Sequence, residues 1–251
     1  MKRLDGLRVA AVFAHPDDEA FGPAGTLATC SRLGAEIRIY MATRGEAGRR
    51  RGSPPFCRPE ELGAVRWSEL EKSCRILGCR SLTFLHLRDK GVDRYGPEHV
   101  ERLSRLWTEY RPHVIIALAP DGGLAPHPDH KASSRLAREA WEAMNFRARL
   151  CYYQRQLDET VVKKAHGIWP GLLVVDVASS RREKLLALRA HRTQTEQVSS
   201  LWGEEGAVIR RLSRWEHFLV PEPGLSSLRA RGEVGLLFPY VPWRHEKPAA
   251  G

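Results

Sequence analysis

Four short apolar runs, residues 7–14, 36–43, 81–87 and 114–119, alternate through the first 150 residues with stretches whose apolar residues recur at spacings of three and four. Period-two or continuous apolarity marks a strand, and a period of 3.6 marks a helix. Residues 25–33, 60–77, 97–110 and 130–141 are therefore read as helices. Parallel neighbours need a crossover of a dozen or more residues, so this alternation commits the chain to a mostly parallel sheet. The expected class is α/β: a Rossmann-like, mostly parallel sheet with helices on both faces. Beyond Cys151 a strand at 172–177, a helix at 180–189 and a last strand near 234–241 read as extra C-terminal α/β elements. The expectation is one domain over residues 1–251, with a core at about 7–150 and an extension at about 151–251.

Several function classes fall away. No apolar stretch approaches the ~18–20 residues of a membrane span. The first apolar run leads straight into His15-Pro16-Asp17-Asp18, leaving no room for a signal peptide, so cytoplasmic residence is expected. Five cysteines lie scattered without a CxxC pair, which argues against a disulfide framework or a thiolate zinc knuckle. A net charge of +10 suits anionic partners, but the arginines are spread along the chain apart from Arg49-Arg50-Arg51, and no nucleic-acid module accompanies them. Nucleic acid is not expected as a primary partner. No GxSxG elbow, Walker loop or GxGxxG follows any predicted strand, which removes serine hydrolases, NTPases and dinucleotide enzymes.

Chemistry concentrates in two clusters. His15-Pro16-Asp17-Asp18-Glu19 follows the first strand, and His127-Pro128-Asp129-His130 follows the fourth. Either could be read as helix capping. Together they point elsewhere: in a sheet of order 3-2-1-4 strands one and four are neighbours, and ligands bind beyond their carboxyl ends. Imidazole and carboxylate donors without thiolate suit a catalytic metal held by three protein ligands. Zinc is the first candidate, with Fe(II) or another divalent metal also served by two histidines and one carboxylate.

These residues resemble the LmbE/PIG-L family of zinc-dependent N-acetylglucosaminyl deacetylases. The resemblance rests on Ala14-His15-Pro16-Asp17-Asp18-Glu19, Gly22-Pro23-Ala24-Gly25-Thr26-Leu27, Thr43-Arg44-Gly45-Glu46 and His127-Pro128-Asp129-His130. Fainter likenesses run from Arg66 to Gly78, at Asp89 and at His191-Arg192-Thr193-Gln194. The resemblance implies His15, Asp18 and His130 as metal ligands and Asp17 as general base. It makes His127 the stabiliser of the oxyanion and Asp129 the hydrogen-bond partner of a histidine. Glu46, Arg66 and Asp89 contact substrate or shape its pocket. The implied reaction removes an acyl group, most simply acetyl, from the nitrogen of an N-acetylglucosamine-type sugar or conjugate. A metal would lower the pKa of a bound water towards ~7, and a protonated His127 would face the oxyanion.

Other readings stay open: an amidase for an antibiotic or thiol-conjugate amide, an iron oxygenase, or a non-catalytic sugar-binding module. The partner is expected to be a small N-acylated molecule, and a homo-oligomer is allowed. Residues 43–59 have turn composition and should form a long loop, with Arg49-Arg50-Arg51 across the pocket mouth. His191 reads either as a helix-end histidine or as a pocket residue, and Trp215-Glu216-His217-Phe218 as packing plus a surface charge.

Overall fold

The two faces of strand β1 (Arg8–Phe13) feed two different cores. Val9, Ala11 and Phe13 pack into one cluster, while Ala10 and Val12 pack into the other. A strand buried on both sides needs helices on both sides, which is why its sequence is continuously apolar rather than alternating. The computed structural model describes residues 3–145, 148–155 and 171–220. After β1 come α1 (Asp18–Phe21), α2 (Ala24–Arg32), β2 (Glu36–Met41), α3 (Leu62–Leu77), β3 (Ser81–Phe84), α4 (Pro97–Tyr110), β4 (Val114–Leu118) and α5 (Pro128–Glu142). They are followed by β5 (Arg149–Gln154), β6 (Gly171–Asp176), α6 (Arg181–Ala190), α7 (Arg192–Thr195), α8 (Glu205–Arg211) and β7 (Trp215–Val220).

Among the described residues these strands form one seven-stranded sheet of order β3-β2-β1-β4-β5-β7-β6. The first five in that order are parallel to one another, and β7 runs antiparallel between β5 and β6. The winding reverses between β1 and β4, where such sheets place their ligands. Leu27, Leu70, Leu77 and Leu185 from α2, α3 and α6 cover one face, and Leu103, Trp107, Leu136 and Ala140 from α4 and α5 cover the other.

Two strands escape a reading of periodicity. All six residues of β5 are buried, yet its flanking Arg149 and Gln154 hide a four-residue apolar run close behind α5. The Trp215 segment, expected to carry a surface charge, is instead β7, and Glu216 is 1% exposed. The strand expected near 234–241 lies outside the described residues.

Burying Glu216 has a structural return. Its Oε1 accepts the Gly25 N–H at 3.0 Å, and its Oε2 accepts the Thr26 N–H at 2.8 Å and the Thr26 hydroxyl at 2.7 Å. The free N–H groups of the first turn of α2 thus meet a carboxylate, the charge that a helix N-terminus favours. Lys184 on α6 completes the arrangement, donating to Glu216 Oε1 and to the Gly22 carbonyl, both at 2.7 Å. Removing one partner of a buried pair leaves the other uncompensated, at a cost of about 3–5 kcal/mol. Lys184→Met is therefore expected to lower stability by that amount in denaturant unfolding. A loss below about 1 kcal/mol would mean that the helix N–H groups hold Glu216 without the lysine.

Candidate metal centre

Beyond the end of β1 the chain turns sharply through His15 to Asp18, and the turn is stabilised by its own carboxylate. Asp18 Oδ2 accepts the N–H groups of Ala14 and His15, at 3.1 and 2.9 Å. Its other oxygen, Oδ1, lies 3.1 Å from His130 Nε2. His130 reaches this point from the first turn of α5, with its Nδ1 3.2 Å from the Ala125 carbonyl. A carbonyl cannot donate, so Nδ1 carries the proton and Nε2 is left as a donor atom for an ion.

His15 completes the set. Its Nε2 lies 3.2 Å from both Asp129 Oδ2 and Asp89 Oδ1, and its Nδ1 is 3.9 Å from Asp18 Oδ2. The ligand atoms of His15, Asp18 and His130 all lie within 4.8 Å of one another. Those of His15, His127 and Asp129 form a second group by the same measure. The first group fits a divalent ion better. There the Nε2–H of His15 is held by carboxylates while Nδ1 faces Asp18, the arrangement that orients metal-binding imidazoles.

The electrostatics favour positive charge in this pocket. Burial opposes ionisation of Asp18, but the neighbouring His130 and His15 outweigh it and hold the carboxyl far below its usual range. Burial likewise disfavours the charged form of His15, yet Asp129 and Asp89 raise its pKa to about 10. Against the same burial, Asp18 raises that of His130. Asp89 falls to about 2 despite burial, chiefly through His15, and Asp129 is lowered in the same way. Without an ion, protons on two imidazoles offset part of the charge of the three carboxylates; a divalent cation can replace both protons.

Asp17 and His127 flank this set. Burial pushes Asp17 up to about 6, Asp18 adds to the rise, and Arg66 opposes it. His127 caps α5, its Nδ1 accepting the Asp129 N–H at 3.2 Å, so a neutral ring carries its proton on Nε2. Burial and the neighbouring His15 and His130 lower its pKa. The protonated His127 expected from sequence is thus disfavoured, and a neutral Nε2–H remains as the donor. Asp129 meets His15 through its side chain and His127 through its backbone N–H.

The three residues expected at the substrate are turned towards the site's own walls. Arg66, buried in α3, donates to the Pro16 carbonyl at 2.6 Å and the Gly45 carbonyl at 3.0 Å, and lies 3.2 Å from Asp17 Oδ1. Gly45 sits at φ 66 with the guanidinium where a Cβ would be, so only glycine fits. Asp89 accepts the Ala47 N–H at 2.8 Å, and Glu46 accepts the Asp89 N–H at 3.0 Å. These contacts tie the loop after β2 to His15.

No helix or strand lies between Met41 and Pro59, as the turn composition predicts. Farther along this loop, Arg50 donates to the Gln194 carbonyl, Arg51 to that of Cys57, and Gly52 to that of Thr193. The basic stretch therefore rests on α7. His191, between α6 and α7, is fully buried and meets Glu19 rather than the last carbonyls of its helix. Glu19 was visible in the first cluster, but nothing local in the sequence pairs it with a residue 172 positions away.

A sequence model of PIG-L, GlcNAc-PI de-N-acetylase, matches residues 10–141, the span that carries both clusters at the β1–β4 switch point. The chain belongs to the PIG-L family. A probable N-acetyl-alpha-D-glucosaminyl L-malate deacetylase 2 of Bacillus anthracis is 32% identical over 187 residues, covering 74% of this chain and 80% of the relative. A 1D-myo-inositol 2-acetamido-2-deoxy-alpha-D-glucopyranoside deacetylase of Mycobacterium sp. (strain KMS) is 30% identical, covering 92% and 89%. Among solved structures, N,N'-diacetylchitobiose deacetylase from Pyrococcus horikoshii superposes with a TM-score of 0.67 at 23% identity, covering 88% of this chain and 85% of that one. That likeness shows the shared α/β fold. No helix among the described residues of this PIG-L family member is long and apolar enough to cross a membrane.

Proposed function

We propose that this chain is a zinc-dependent N-deacetylase that hydrolyses the acetamide of an N-acetylglucosamine conjugate. The observation that carries the reading is the meeting, beyond β1 and β4, of a His15–Asp18–His130 ligand set with a second carboxylate, Asp17, and a third imidazole, His127. Membership of the PIG-L family and relatives named as deacetylases of glucosaminyl conjugates support the substrate class. Zinc is favoured by the donor set, two imidazoles and one carboxylate.

An ion bound by His15, Asp18 and His130 would supply Lewis acidity, which makes a water more acidic and the acyl carbonyl more electrophilic. Asp17 takes the proton from the water that attacks the carbonyl carbon. Its raised pKa matches this task, since a base near 6 is ionised at neutral pH and still binds a proton well. As the carbonyl oxygen becomes anionic, His127 Nε2–H donates to it from a ring already aimed by its bond with the Asp129 amide. Collapse needs a proton on the departing nitrogen. Asp17 holds one, whereas a neutral His127 would have to be protonated first, so Asp17 returns its proton to the amine.

Arg66 keeps Asp17 in its working range: the guanidinium lowers a carboxyl that burial raises. Removing that charge raises the pKa of Asp17, and a base is lost as pH falls through its pKa. Arg66→Met is thus expected to move the acidic limb of kcat/KM to higher pH, checked by a pH–rate profile. A limb that stays in place would show that the charge of Arg66 does not reach Asp17.

The reading is tested by fluorescamine detection of amine released from a panel of N-acetylated sugars and conjugates by metal-loaded protein, with and without chelator. Release that requires the metal supports it. No amine from any acetamide, with the metal analytically present, overturns it.

A further inference from the structure

Behind the Asp17–Asp18 pair runs a buried polar chain that the reaction above does not use. Glu19 and His191 are both 0% exposed. His191 Nε2 lies 2.5 Å from Glu19 Oε1, and the Ser73 hydroxyl donates to the same oxygen at 2.6 Å. The other oxygen, Glu19 Oε2, accepts the backbone N–H of Asp17 at 3.1 Å. The segment carrying His191 is itself clamped: Thr193 donates its N–H and hydroxyl to Glu69, at 2.8 and 2.5 Å. Glu69 and Ser73 are one turn apart on α3, so a single helix face fixes both ends of the chain.

A fully buried carboxylate is costly unless its oxygens are filled, and apolar side chains would pack this space without that cost. Its use lies at Asp17, whose φ is 124. A non-glycine residue in that region is strained by about 1–3 kcal/mol and persists only where its surroundings enforce it. The conformation has a geometric purpose. Successive side chains diverge by roughly 100° on a helix and point to opposite faces on a strand, so two adjacent carboxylates do not normally serve one pocket. A turned backbone at Asp17 allows Asp18 to face His130 while Asp17 faces the same cavity.

We propose that Glu19 and His191 are positioning residues for Asp17: His191 and Ser73 lock the Glu19 carboxylate, which holds the Asp17 amide and keeps the turn that aims its side chain. This rests on Asp17 being the general base. The C-terminal extension then supplies a working part of the site from 172 residues away.

The experiment is a double-mutant cycle on the metal-loaded protein. His191→Phe keeps ring volume and loses the donor, and His191→Gln keeps an N–H donor. His191→Phe is expected to lower kcat by about 10–100-fold, the usual effect of losing a residue that orients a working group, with KM and metal content unchanged. His191→Gln should recover activity to within a few-fold of wild type. In an Asp17→Asn background His191→Phe should cost less than about twofold, because the group it positions is gone. An equal loss in both backgrounds, a glutamine variant no better than phenylalanine, or a change in metal content instead of kcat would overturn the proposal. If His191→Phe does not fold, Ser73→Ala on the same Glu19 oxygen takes its place in the cycle. If wild type hydrolyses no acetamide, that reading of the function has failed, and the positioning role is decided by hydrogen exchange at the Asp17 amide. Exchange at least tenfold faster in the variant supports the lock, and unchanged exchange overturns it.

Discussion

Replacing Asp17 by Asn is expected to lower turnover by about 10²–10⁴-fold while leaving metal content near wild type. The amide matches the carboxylate in shape and still offers Arg66 an oxygen, so the 3.2 Å contact with that guanidinium can survive. What it cannot do is accept a proton at neutral pH. Asp18, His15 and His130 keep their mutual contacts, so the ligand set has no reason to loosen. Steady-state kinetics combined with metal analysis of the purified variant separates the outcomes. Loss of metal would make Asp17 a ligand, and unchanged turnover would put the base elsewhere.

A second large effect is expected in the pH dependence of metal affinity. His15 is raised to about 10 and His130 is raised above its ordinary value, so the metal-free pocket holds protons on both at mildly acidic pH. An ion must displace them, and each displaced proton changes affinity tenfold per pH unit. Between pH 5.5 and 6.5 affinity should therefore rise about 100-fold. The sign follows from which state binds protons: acid favours the metal-free form. Unperturbed histidines would cease to matter above pH ~6.5. Here a dependence of about tenfold per unit should persist towards pH 10, until His15 loses its proton without help. Competition with a chelator of known affinity measures this. Affinity flat above pH 7 would show that His15 is not protonated in the metal-free pocket.

Strands β1 to β4 were legible in sequence because each is a short apolar or alternating run followed by a helical period, and β1 and β4 are buried along nearly their whole length, whereas the parallel β5, with Arg149 and Gln154 at its ends, was not. Both clusters were legible for a related reason: β1 and β4 are neighbours, so residues 112 positions apart could be placed together from topology alone. Glu216 was not legible. Its partners lie on α2, and only β7 running antiparallel between β5 and β6 brings it there. His191 was ambiguous because its position at the end of α6 explains a histidine without reference to Glu19. Arg66, Asp89 and Glu46 were read as contacting substrate or shaping its pocket, a choice left open because sequence shows that a side chain belongs to a site but not which way it faces. The protonation of His127 turned on burial and on the nearby His15 and His130, and its tautomer on a bond from the Asp129 amide, none of which spacing can reveal.

The late arrival of β7 bears on how such a chain matures on the ribosome. His15, Asp17 and Asp18 are made first, yet α2 beside them has no carboxylate at its N-terminus until Glu216 is made, and Glu19 has no imidazole until His191 emerges. Contacts this distant in sequence close slowly. A nascent chain ending before Trp215 leaves β5 and β6 as unpaired edges, sites of intermolecular strand addition. A chain released before β7 is made thus lacks the Glu216 carboxylate at the start of α2 and presents open strand edges beside a pocket whose residues were synthesised early.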